Sequence, residues 1–134
     1  MADLREHFAR KASGVGAVVS EAPDAETARR RHGHEDGDEV ADGIFAVAET
    51  GSVGVSWARD ERGRALLAER LFLLVPRDQL VPTLDDALAR IEALVRDGRP
   101  YVTLMTGPSR TADIERALTV GVHGPRELHV VLVG

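Results

Sequence analysis

Leu4, Phe8 and Ala12 recur at four-residue steps among charged positions in residues 2–12, which predicts an amphipathic helix with one apolar stripe for a sheet or a partner. After Gly14, the short run Val15 to Val19 is rich in β-branched residues and predicts a strand. Pro23 to Arg31 follows with proline at its start and acids in its first turn, the signature of a second helix. His32 to Asp42, HGHEDGDEVAD, is too polar and too glycine-broken to order itself by packing, so an exposed connection is expected.

Gly43 to Ala48 is almost unbroken in its apolar character, as in a strand covered on both faces. Glu49 to Ser52 interrupts it, and Val53 to Trp57 resumes. The pair reads as a hairpin in which Gly51 takes the positive φ of a tight turn. Residues 60–69 predict a short helix interrupted by Gly63, and Leu71 to Val75 a buried strand closed by Pro76. Thr83 is placed to cap a helix whose first turn carries Asp85 and Asp86, whose apolar face is Leu84, Leu88, Ile91 and Val95, and which Gly98 ends. Tyr101 to Met105 predicts a third apolar strand, Thr106 to Arg110 a turn, Thr111 to Leu118 a helix, and Leu128 to Val133 a last strand. Helices alternating with buried strands give an α/β fold: a largely parallel sheet flanked by helices, modified by one antiparallel pair around Gly51.

At 134 residues the expectation is a single domain, 1–134. No apolar stretch approaches the roughly 18 residues of a membrane span. The 17 Lys and Arg against 22 Asp and Glu leave a formal charge of −5, which disfavours a general nucleic-acid binder. There is no cysteine, so disulfides, thiolate metal sites and iron–sulfur ligation by this chain are excluded. Charges at Asp3, Arg5 and Glu6 stand where a signal peptide needs an apolar core, and a cytoplasmic location is expected.

Four segments carry chemistry. TGPSRTADIE, residues 106–115, joins a strand to a helix through Gly107, Ser109, Arg110 and Thr111. Free amides at the helix start beside a guanidinium suit a carboxylate or phosphate; Thr111 as a plain N-cap with Arg110 solvated is the alternative. The segment lies at the carboxyl end of a strand, where open α/β sheets usually bind ligands. In AETGS, residues 48–52, Glu49 ends an apolar strand, either as a nucleophile or base or as an exposed turn residue. His123 lies between glycine turns and is either an acid, base or ligand or a residue bonded to the main chain; His129 is expected to be packed or at an edge. His32, His34, Glu35, Asp36, Asp38 and Glu39 mix metal-ligand types without a ligand spacing, so a solvated loop and no metal site are expected.

The stretches DGIFAVAETGSVGVS (42–56), VPRDQLVPTLDDALARI (75–91) and TGPSRTADIERALTVGVHGPRELHVVLVG (106–134) together resemble the LUD-domain family, of the lactate utilisation protein C type. The likeness covers most of 42–134, and residues 1–41 form a shortened, unassigned amino-terminal region. The resemblance implies a fold related to sugar isomerases and coenzyme A transferases, and an accessory role in oxidising L-lactate to pyruvate. The redox centres would be carried by iron–sulfur protein partners, with no cofactor bound by this chain. On that reading a cleft for a small anionic ligand is formed by Glu49, Thr50, Gly51, Ser52, Gly107, Ser109, Arg110, Thr111 and His123, with Glu49 as the catalytic candidate. The alternatives are a stand-alone acyl or coenzyme A transferase, a sugar-phosphate isomerase-like enzyme, or a non-catalytic interaction module.

Overall fold

A computed structural model describes residues 3–57, 59–99, 102–108 and 124–134. The described elements are α1 (Leu4–Gly14), β1 (Val18–Ala22), α2 (Ala25–Arg31), β2 (Asp38–Asp42), β3 (Phe45–Val47), β4 (Ser52–Ser56), α3 (Arg59–Leu66), β5 (Arg70–Pro76), a 3₁₀ turn (Arg77–Gln79), β6 (Leu80–Val81), α4 (Leu84–Arg96), β7 (Val102–Met105) and β8 (Glu127–Val133). The helix expected at Thr111 to Leu118 lies outside the described residues.

The strands form two sheets. Sheet A has the order β1-β8-β5-β2 and is parallel throughout. Sheet B has the order β6-β3-β4-β7; β4 runs antiparallel to both neighbours, while β3 and β6 are parallel. The expected parallel sheet with flanking helices is present, and the antiparallel pair around Gly51 belongs to the second sheet. The main core lies between the sheets. Leu71, Leu73, Val75, Leu128, Val130 and Leu132 of sheet A meet Ala46, Val53, Val55 and Met105 of sheet B, with Phe8 and Ala12 of α1 and Ala65 of α3. Fully burying a side chain such as Phe8 or Leu71 stabilises by about 1.5–3 kcal/mol, so this layer dominates the fold. The period-2 alternation then sends Phe45 and Val47 to the outer face of sheet B under α4, and Leu74 and Val131 to the outer face of sheet A under α2.

Two expectations are corrected. Residues 38–42 are not part of an exposed connection but form β2. Five residues with a single β-branched member carry little strand signal; parallel pairing with β5 supplies it, and Arg70 binds Asp38 through two 2.8 Å hydrogen bonds across the register. In α4 the buried face is Ala87, Ile91 and Leu94, whereas Leu84, Leu88 and Val95 are exposed. The helix is rotated from its most apolar stripe. Thr83 caps it as expected, in a reciprocal capping box with Asp86.

Candidate functional site

Two turns meet at the carboxyl end of α1. The first is Ala48 to Gly51 between β3 and β4, closed by the Gly51 amide donating to the Val47 carbonyl at 2.8 Å. It is tied to the segment before α4, because the Ala48 and Glu49 amides donate to the carbonyls of Val81 and Pro82 at 2.9 and 3.1 Å. The second is Thr106 to Pro108, which follows β7. Pairing of Val53 with Met105 puts Ser52 beside Thr106. The Ser52 hydroxyl, 2% exposed, lies 2.7 Å from both the Thr50 and the Thr106 hydroxyls.

Both glycines are there for close approach. Gly51 has φ +72, and a Cβ on it would stand 2.5 Å from the Ala12 amide nitrogen. Gly107 has φ +78, and its Cβ would stand 2.3 Å from the Val15 carbonyl oxygen. Neither position admits a side chain unless the turn or the backbone at the end of α1 shifts.

Glu49 is exposed, and its Oε1 accepts from the Leu84 amide at 2.7 Å. The carboxylate thus satisfies one of the orphan amides at the positive end of α4. That contact ties the side chain to the start of α4 and gives it a structural function that spacing did not reveal. Glu49, Thr50, Gly51, Ser52 and Gly107 are therefore drawn into one cluster; Ser109, Arg110, Thr111 and His123 lie outside the described residues. Thr106, absent from the expected site residues, joins them through the β4–β7 register. Because β7 belongs to the mixed sheet B and, among the described residues, pairs only antiparallel with β4, the rule that placed a ligand at the carboxyl end of a parallel strand does not apply here.

The polar 32–39 segment is more ordered than a solvated loop. The Asp38 side chain is 1% exposed and paired with Arg70, which holds its carboxyl below the usual aspartate range. His32 and His129 both stack on Phe72. Among the described residues no three His, Asp or Glu side chains converge as metal ligands, and no helix is long and apolar enough to cross a membrane.

A family model for the LUD domain matches residues 42–133, a span containing both turns. The chain belongs to the LUD domain family. This LUD chain is 40% identical over 91 residues to lactate utilization protein C of Deinococcus radiodurans, covering 66% of this chain and 42% of that protein. It is 36% identical over 99 residues to lactate utilization protein C of Geobacillus kaustophilus, covering 70% and 41%. The chain thus spans about two fifths of the length of these relatives. A crystal structure of a DUF162 family protein from Deinococcus radiodurans shares the fold, with a TM-score of 0.71 at 21% identity over 98% of this chain and 96% of that one.

Proposed function

We propose that this LUD chain supports lactate utilisation as an accessory unit, assisting oxidation of L-lactate to pyruvate beside iron–sulfur protein partners. The observation that carries the reading is the 40% identity to a lactate utilization protein C. The partners supply the electron carriers, since the chain has no cysteine with which to ligate a cluster. Its own part is to hold a small carboxylate or phosphate near the two turns. The two bonds within the Thr50–Ser52–Thr106 hydroxyl chain use two of its three protons and leave one O–H donor for a ligand, and Arg110, flanked by Ser109 and Thr111, adds the charge. Glu49, already bonded to the start of α4, orients rather than attacks in this scheme. The test is growth on L-lactate of a strain lacking the gene, with and without the gene restored, alongside an assay of lactate oxidation by the isolated chain. A growth defect that the gene reverses, with no activity in isolation, is the expected result. Robust oxidation by the isolated chain, or normal growth of the deletion strain, refutes the reading.

A further inference from the structure

Among the described residues, the helix on the outer face of sheet A is α2, seven residues long, which buries Ala28 there against Ala22, Leu74 and Val131. Toward the amino ends of the strands the cover is a group of rings. His32, directly after α2, stacks on Phe72 of β5 with centroids 4.9 Å apart and planes 21° apart. His129 of β8, opposite Phe72 in the register, stacks on the same ring at 4.6 Å and 30°. The Arg70 guanidinium carbon lies 5.3 Å from that ring's centroid.

We propose that this stack is a proton-operated latch, in which neutral His32 holds the 32–37 connection against sheet A and protonated His32 loosens it over Phe72 and Arg70. The charges around His32 give the reason. It faces Arg31 from α2, Arg70 from β5 and His129 from β8. Among the described residues, the acids nearby have other partners. Asp38 of β2 binds Arg70 through both oxygens, Glu35 of the connection lies 3.3 Å from Arg70, and Glu127 of β8 sits 3.0 Å from His129 Nε2. His34 Nε2 is 2.8 Å from the Arg30 carbonyl oxygen, so it too is turned away from the ring. A cation beside an aromatic ring is ordinarily attracted, but the Arg70 guanidinium already lies over this ring, and a second cation on it meets repulsion.

Burial first, then His129, Arg31 and Arg70, hold the His32 imidazole below the usual histidine range, with Asp38 pulling the other way. The closed form therefore binds a proton more weakly than the open one. Closure is fully favoured above about pH 6.5 and weakens as pH falls toward the closed-form value, by up to about tenfold for each pH unit that separates the two forms.

Hydrogen exchange on the whole chain tests the latch, comparing amides 33–37 at pH 7.5 and 5.5 after correction for intrinsic chemistry, with Leu73 and Val130 as core references. The partner variant is His32→Phe, which keeps an aromatic ring on Phe72 and cannot be protonated. In the wild type the connection is expected to exchange severalfold faster at pH 5.5 while the core amides are unchanged, and in His32→Phe the acceleration disappears. The proposal is overturned by equal acceleration in both proteins, by acceleration shared with Leu73 and Val130, or by none in the wild type.

Discussion

Replacing Gly51 by alanine separates two costs that glycine avoids at the turn. The backbone cost comes from φ +72, where a Cβ crowds the following carbonyl and costs about 1–2 kcal/mol. The packing cost comes from α1: the new Cβ would lie 2.5 Å from the Ala12 nitrogen, 2.7 Å from the Ala12 Cα and 2.7 Å from the Lys11 carbonyl carbon. All three are backbone atoms, so no side-chain rotation relieves them, and the helix or the turn must shift at a further cost of about 1–3 kcal/mol. The sum is roughly 2–5 kcal/mol, a large part of the about 5–15 kcal/mol that holds a domain together. Gly98 supplies the control. Its φ is +88 but its Cβ would meet nothing within 4 Å, so Gly98→Ala carries the backbone cost alone. Urea denaturation followed by circular dichroism is expected to place Gly51→Ala below Gly98→Ala by the packing cost, with thermal midpoints ordered the same way. Equal losses in the two variants, or a Gly51→Ala protein within about 0.5 kcal/mol of wild type, would refute the close packing of the turn on α1.

Glu49→Gln keeps an acceptor for the Leu84 amide and loses only the charge at the helix start, so chemical denaturation should place it within about 1 kcal/mol of wild type while lactate growth is not restored; full complementation would make Glu49 a capping residue and nothing more. Arg110→Ala should weaken binding of a small carboxylate by about 1 kcal/mol or more in calorimetry, the scale of a charge-assisted hydrogen bond, and equal affinity in both proteins counts against an anion site there. Asp38 has its pKa lowered chiefly by its hydrogen bonds to Arg70, so its stabilising contribution is present above about pH 4 and lost as pH falls through the folded value. Asp38→Asn should cost about 1–3 kcal/mol at neutral pH and flatten the acid limb of the stability curve below pH 4; an unchanged acid limb would show that the pair does not control it.

Much of the local structure was legible in the chain, because it depends on neighbours within one turn of sequence. Thr83 with Asp86 caps α4 wherever that helix is placed, Gly51 marks a turn that only a residue tolerant of positive φ closes easily, and the apolar runs at Gly43 to Ala48 and Leu71 to Val75 announce buried strands. The site was legible in part: Glu49 to Ser52 and Gly107 were singled out by residue type, but not the 2.7 Å Ser52–Thr106 contact across 54 residues, nor the use of Glu49 to cap α4. The remainder was decided by pairing between distant segments. Asp38 to Asp42 has too little apolar character to be a strand alone, and becomes one because β5 offers an open row of backbone partners and Arg70 neutralises Asp38. Whether β3 and β4 extend the parallel sheet or begin another was equally open, since a hairpin looks the same in either. The face of α4 that is buried depends on the shape of sheet B beneath it, which selects Ala87, Ile91 and Leu94 over the larger Leu84 and Leu88. Periodicity counts apolar side chains on a helix, whereas packing chooses the side that fits the surface opposite, and that surface is assembled from β3, β4 and β7, segments far from α4 or beyond it in the chain.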